Sequence, residues 1–139
     1  MPKGMMSITR EEHDEALHAK KVTLVGASSN ILRTSKVFQD TTISNTNETT
    51  VLSAEALTYH DVYGVIVTNT SATATEVAFK DDTAGTTRFT IAVPAGDTRG
   101  FMLPPTGAYN QTATNKNWTA TAADSVSSLL ITVFAVKNT

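Results

Sequence analysis

The stretch TEVAFKDDTAGTTRFTIAV, residues 75–93, decides the fold class. Apolar side chains such as Val77 and Phe79 alternate with polar ones, and the same alternation resumes at Phe89. A period of two is typical of a β-strand that has one face in a core. Between the two runs, residues 81–85 (DDTAG) include the Asp and Gly residues that favour a tight turn. We therefore predict an antiparallel hairpin here.

The same period continues along most of the chain. The apolar run VYGVIVTN, residues 62–69, predicts a central strand that is covered on both faces. A turn at residues 94–97 (PAGD) leads to a strand at 99–103, which ends at two prolines because proline cannot donate to a sheet. Further strands are expected at 22–26, within 31–47, and at 50–57, 118–122 and 129–136. Seven to nine short strands predict an all-β fold, either an antiparallel β-sandwich or a jelly roll, although a closed barrel fits the same count.

Composition supports strands and excludes several classes of protein. The 139 residues include 25 threonines, one more than the 24 charged residues, and Thr favours a pleated surface over a helix. At positions 86, 90, 119 and 121 threonine alternates with apolar residues, so we expect it to cover the outer faces of the sheets. The absence of cysteine excludes disulfide scaffolds, thiol nucleophiles and thiolate zinc sites.

Charge and hydropathy exclude two kinds of partner. A net charge of −2 without clustered Lys and Arg argues against nucleic acid. No apolar run approaches the roughly 20 residues of a membrane-spanning helix, so we expect no membrane partner. Residues 1–21 lack the apolar centre of a secretory signal.

Residues 1–21 differ from the rest of the chain and are interpreted as an N-terminal arm preceding a β-sandwich domain at 22–139. Thr9 and Glu12 have the spacing of a capping box, and a short helix could follow at 11–19. Such a helix is too short to be stable alone. We expect the arm to order against another surface; a frayed terminus is the alternative.

No residue pattern in the sequence predicts a catalytic, metal or cofactor site. His13 and His18 are five residues apart and would lie on different faces of a helix, unlike zinc ligands. Ser28 follows a strand but lacks the second glycine of a nucleophile elbow. Asp81 and Asp82 fit a turn better than a calcium loop, which needs further acidic ligands. The chain is therefore not expected to be an enzyme.

The last strand is apolar on both faces, which points to a contact surface. One face can serve the core, whereas the other needs a cover, either from the same chain or from a partner subunit. The candidate partner-binding residues come from this second face and from the N-terminal region: Leu130, Phe134 and Val136, with Ile8, Leu17, Val22 and Leu24.

A second candidate surface is the polar loop between two strands, near residues 109–118. Tyr109 and Trp118 could stack on a sugar ring, with Asn110, Gln111 and Asn115 as hydrogen-bonding neighbours. The alternative is that Trp118 belongs to the core, because it begins an alternating strand.

Four segments carry a resemblance to a known class of protein: HDEALHAKKVTLV (13–25), GVIVTNTSATATEVAFKD (64–81), FTIAVPAGDTRGFMLPP (89–105) and NWTATAADSVSSLLITVFAVKN (117–138). The chain resembles small β-sandwich structural proteins of tailed bacteriophage virions. That resemblance implies a capsid decoration or cement protein without an active site or cofactor. It would be made in the host cytoplasm and would bind the outer surface of the assembled head.

The resemblance also implies partners. These are the major capsid protein and further copies of the chain itself, with a trimer as the expected oligomer. The alternative function is a receptor- or glycan-binding module of a phage tail or head fibre, which would use Tyr109 and Trp118.

Overall fold

The computed structural model describes residues 35–139, so the arm and the strand predicted at 22–26 lie outside the described residues. The described part contains eight β-strands and one short 3-10 helix at Pro105–Gly107. The strands are β1 (Lys36–Ile43), β2 (Thr49–Leu52), β3 (Tyr59–Asn69), β4 (Thr75–Lys80), β5 (Thr87–Val93), β6 (Thr98–Met102), β7 (Trp118–Ala122) and β8 (Leu129–Asn138). No helix in this part is long and apolar enough to cross a membrane.

The eight strands form two antiparallel four-stranded sheets. The first sheet has the order β1-β8-β3-β6, and the second has the order β2-β7-β4-β5. Every connection between consecutive strands crosses from one sheet to the other, except the one between β4 and β5. This is the connectivity of a jelly roll. The prediction of an all-β sandwich or jelly roll is confirmed, and two separate sheets exclude the closed barrel.

The β4–β5 hairpin forms as predicted. Phe79 pairs with Phe89, and their rings stack with centroids 4.8 Å apart. The turn contains Ala84 at a positive φ of 57°, and the Ala84 N–H donates to the carboxylate of Glu48 at 2.9 Å. The same carboxylate accepts the hydroxyl of Thr119 at 2.6 Å. Glu48 thus ties the hairpin turn to β7.

The core lies between the inner faces of the two sheets. Strand β8 buries Leu129, Ile131, Val133 and Ala135 there, and β3 buries Val62, Val65 and Val67. The second sheet contributes its own buried set: Val51, Leu52, Val77, Phe79, Val93, Trp118, Ala120 and Ala122.

Three details differ from the prediction. Strand β3 is central, but it is not covered on both faces, because Ile66 on its outer face is 39% exposed. The strand expected at 50–57 ends at Leu52, and the chain turns at Leu57, which has a positive φ of 56°. Thr119 alternates with the core residues Trp118 and Ala120 and so lies on the outer face of β7, but it is only 1% exposed, and its hydroxyl donates to the Glu48 carboxylate.

Two glycines where β3 meets β6 provide a test of backbone packing. A Cβ on Gly100 would overlap the backbone oxygen of Val65, whereas a Cβ on Gly64 would overlap the sulfur of Met102. The Met102 side chain can rotate away, but a paired strand cannot move without breaking its ladder. We expect Gly100→Ala to lower the free energy of unfolding by about 2–3 kcal/mol, the usual cost of overpacking, and Gly64→Ala by less than about 1 kcal/mol. Urea denaturation measures both, and equal losses would contradict this account.

Candidate functional site

The outer face of the first sheet carries a contiguous group of apolar side chains. Phe134 of β8 lies between two aromatic rings, with centroid distances of 6.4 Å to Phe38 and 6.2 Å to Tyr63. The side chain of Met102 lies over Gly64 in the adjoining strands. We name this surface the outer apolar patch and define it by six residues: Phe38, Tyr63, Ile66, Met102, Leu130 and Phe134.

Several residues of the outer apolar patch are well exposed. Phe38 is 66% exposed, Met102 is 57% exposed and Leu130 is 45% exposed. Single exposed apolar residues are normal on a protein surface, but contiguous ones mark a site of contact with another molecule. The patch is therefore the strongest candidate binding surface in residues 35–139.

The structure brings together some of the residues proposed from sequence. Leu130, Phe134 and Val136 alternate with the buried residues of β8 and lie on its outer face. Ile8, Leu17, Val22 and Leu24 lie outside the described residues. That the three residues of β8 bind a partner remains a prediction.

Sequence reasoning missed four residues of the patch: Phe38, Tyr63, Ile66 and Met102. The sequence pattern could have identified them, because each is the neighbour in its strand of a residue that faces the core. Met102, for example, follows Phe101 in β6 and therefore lies on the opposite face. The pattern was overlooked in β3 because a run that is apolar on both faces was taken to be covered on both. Strand register aligns four residues across the sheet: Phe38, Phe134, Gly64 and Met102. The pattern within a single strand does not specify which residues of other strands lie opposite it.

Trp118 belongs to the core. Its side chain is 1% exposed, and its Nε1–H donates to the carbonyl oxygen of His60 at 2.7 Å. A sugar ring cannot stack on an indole that lies between two sheets. The burial supports the core alternative for this residue and removes it from the proposed sugar platform.

Tyr109 is half-buried and is held in place by its neighbours. Its ring lies 4.7 Å from Phe89 and 5.8 Å from Phe101, measured between centroids. Its N–H donates to the Val62 carbonyl at 2.7 Å and its carbonyl accepts the Val62 N–H at 3.1 Å. Gln111, expected as a sugar ligand, is buried instead and accepts the His60 N–H at 2.7 Å.

A cleft of about 640 Å³ lies beside Tyr109, between the β4–β5 turn and the loop before β7. The carboxylate of Asp81 accepts the Thr112 N–H at 3.0 Å and lies 3.5 Å from the Arg88 guanidinium. Asp82 pairs with Lys116 at 2.8 Å, and that hydrogen bond lowers the pKa of the Asp82 carboxyl. The charged side chains lining the cleft are thus paired with groups of the same chain.

His60 is the most deeply buried titratable side chain near this loop. Its imidazole is 2% exposed, and neither ring nitrogen has a hydrogen-bond partner among the described residues. The carboxylate of Glu55 lies 3.7 Å from Nε2 of His60 and 2.6 Å from Nζ of Lys137. Burial lowers the pKa of His60, and the charge of Glu55 only partly opposes that effect.

Groups suited to metal binding do not converge in the part of the chain that the structure describes. No three His, Cys, Asp or Glu side chains of residues 35–139 lie close enough to hold a metal ion. His60, the only histidine in that range, is enclosed in the protein.

No protein-family model matches the sequence, and no curated protein matches it. Similar solved structures include a Bacillus endospore appendage, described as a disulfide-linked pilus. It shares 14% sequence identity with this chain, the alignment covers 73% of this chain and 88% of that chain, and the TM-score is 0.43. The cyanophage Pam1 capsid is another, with 15% sequence identity and a TM-score of 0.43. That alignment covers 73% of this chain and 82% of the capsid chain. Tobacco streak virus coat protein is a third, with 6% sequence identity and a TM-score of 0.40. Here the alignment covers 76% of this chain and 87% of the coat protein chain. Similarities this low do not transfer a role to this chain.

The buried imidazole predicts how stability depends on pH. The unfolded chain protonates His60 near its ordinary pKa of 6.5, and the folded chain does so only at lower pH. Above pH 6.5 both states hold a neutral His60, so this residue does not lower the free energy of unfolding. As the pH falls below 6.5 the unfolded state binds the proton first, and the free energy of unfolding decreases. Urea midpoints measured from about pH 7.5 to about pH 5.5 should decrease.

His60→Leu is the matched control, because it removes the titrating group while His13 and His18 stay unchanged. Its urea midpoint should vary less with pH than that of the wild-type protein over the same interval. Glu55, whose pKa is lowered from 4.5 mainly by Lys137, loses its contribution only below that value and does not interfere. Identical pH profiles for the two proteins would refute the assignment.

Proposed function

We propose that this chain is a structural, non-enzymatic accessory protein of a bacteriophage virion, of the capsid decoration or cement type. In this role it binds the outer surface of the assembled head and stabilises it. The observation that carries the proposal is the outer apolar patch, which covers four adjoining strands and has no layer over it among residues 35–139. A protein partner that covers the patch removes its aromatic side chains from water.

The surroundings of the patch support a protein partner. On the same outer face, Thr132 lies between Phe134 and Leu130, and Thr42, Thr68 and Thr98 lie in the row of paired residues that contains Leu130. Hydroxyl groups require less free energy to desolvate than charges do, so these threonines can lie against another protein. Apolar residues at the centre with polar groups at the rim are typical of protein interfaces.

The sequence resemblance supplies the identity of the partner. It names the major capsid protein and further copies of this chain. The apolar residues Ile8, Leu17, Val22 and Leu24 of the N-terminal region are the second proposed contact region. Many identical copies on one shell bind together more strongly than a single weak contact allows. The lack of cysteine suits a protein that folds in a reducing host cytoplasm.

Purified particles of the phage whose genome carries this sequence should contain the protein in numbers comparable to those of the major capsid protein. Quantitative mass spectrometry of the particles measures this ratio. Particles lacking the protein should bind the added wild-type protein but not Phe134→Asp, because a charge at the centre of the patch cannot be desolvated cheaply. Sedimentation of the protein together with the particles measures binding.

The control for that experiment is Thr90→Asp, which adds the same charge on an exposed position of the second sheet. It should bind particles as the wild-type protein does, and circular dichroism should show that both variants are folded. A few copies per particle, or full binding by Phe134→Asp, would overturn the proposal.

The second candidate function is glycan binding by a tail or head fibre module, and the cleft beside Tyr109 favours it. An aromatic ring, paired charges and three threonines (Thr86, Thr87 and Thr112) line the cleft, and such groups suit a polyhydroxylated ligand. On a glycan array the wild-type protein should then bind a defined sugar that Tyr109→Ala does not bind. Absence of wild-type binding would end this alternative, and a low copy number per particle would favour it.

A further inference from the structure

Strand β1 has a neighbour on one side only within the described residues. In the order β1-β8-β3-β6 it is an edge of the first sheet. An edge strand presents a row of unpaired N–H and C=O groups, which can pair with a strand of another chain.

The outer face of β1 has a symmetric arrangement of charge around one aromatic residue. Lys36 and Asp40 lie two residues before and two residues after Phe38, and all three side chains are exposed. Neither charged residue forms an ion pair within residues 35–139. The carboxylate of Asp40 accepts only the hydroxyl of Thr132, at 2.6 Å.

We propose that β1 pairs with β1 of a second copy of this chain, antiparallel and in one register. Phe38 lies opposite Phe38 of the second copy, on a two-fold axis perpendicular to the sheet. Each Lys36 then lies opposite Asp40 of the other copy, so that two identical ion pairs flank the aromatic pair. The result is a continuous sheet of eight strands with a closed, self-complementary interface.

The charge pattern selects this register against its neighbours. A shift that centres the axis on residue 36 places Lys36 opposite Lys36, and centring it on residue 40 places Asp40 opposite Asp40. Centring it on residue 37 or 39 places Phe38 opposite a charged residue. Like charges directly opposite one another destabilise a strand pair, and opposite charges stabilise it.

The proposed register also extends the outer apolar patch. In each copy a row of paired residues crosses the sheet: Met102, Gly64, Phe134 and Phe38. Pairing at Phe38 joins the two rows end to end and covers part of a side chain that is 66% exposed in the single chain. Burial of aromatic area adds to the hydrogen bonds of the new strand pair.

The other three sheet edges lack this combination. Strand β2 has only four residues, TTVL, and none is charged. On β5 the single charge, Arg88, lies 3.5 Å from Asp81 of the same chain. On β6 Arg99 already pairs with Asp97 at 2.7 Å.

The proposed dimer forms in solution and does not require a capsid. It has two-fold symmetry, whereas the sequence resemblance implies a trimer. Both the dimer and its register can be measured without any virus particle.

Cysteine cross-linking tests the register, and the natural chain contains no cysteine to interfere. Residues directly opposite in an antiparallel pair have Cα atoms about 4.5–5.5 Å apart, within the range of a disulfide. Full-length Phe38→Cys should therefore form a covalent dimer under mild oxidation. Thr42→Cys, on the same face of β1, should not, because its two copies would lie about 27 Å apart.

Charge exchange tests the ion pairs. We expect Lys36→Glu and Asp40→Lys, each alone, to weaken dimerisation at least about tenfold, because each places like charges opposite one another. The double variant Lys36→Glu with Asp40→Lys restores both ion pairs with reversed sign and should dimerise within about threefold of the wild-type protein. Sedimentation equilibrium of the full chain measures each dissociation constant.

Thr132→Val is the control for Asp40→Lys, because it removes the same hydrogen bond and leaves the charges of β1 unchanged. It should dimerise as the wild-type protein does. Disulfide formation at Phe38→Cys alone, together with recovery in the double variant, would establish the pairing. A wild-type protein that stays monomeric at all concentrations, equal cross-linking at both cysteines, or no recovery on charge exchange would overturn it.

Discussion

The hydrogen bond from the Trp118 indole to the His60 carbonyl joins the two sheets near the starts of β3 and β7. Trp118 begins β7 in the second sheet, and His60 lies near the start of β3 in the first. Leaving a buried carbonyl without a donor costs about 1–3 kcal/mol, so the bond favours this alignment of the two sheets. The N–H of His60 donates to Gln111, which anchors the loop that leads into β7. The position of Tyr109 and the shape of the cleft follow from that anchor.

The outer surface follows from the burial of the inner face of β8. Because Leu129 and Ile131 of β8 are buried in the core, strand alternation turns Leu130 and Phe134 away from it. Antiparallel pairing then places Phe38 and Tyr63 on either side of Phe134. The outer apolar patch is thus the reverse side of the core, and both proposed contacts of this protein use the first sheet.

Local patterns predicted the parts of this fold that local forces determine. The β4–β5 hairpin was found because its turn and its alternation lie within nineteen consecutive residues, 75–93. The two faces of β8 were found for the same reason. The burial of Thr119 was missed because it depends on Glu48, a residue 71 positions away in sequence. The patch was recognised only in its β8 part, since its other members come from β1, β3 and β6.

The amino-acid sequence by itself determined the all-β class, a range of seven to nine strands and the face that each residue of β8 presents. These properties depend on side-chain period, β-branching and turn residues, which act over a few neighbouring positions. Only the tertiary structure decided that the strands form a jelly roll, that Trp118 lies in the core and that Phe38 adjoins Phe134. Those outcomes depend on strand order and register between residues distant in sequence, and the same local pattern is compatible with several such pairings.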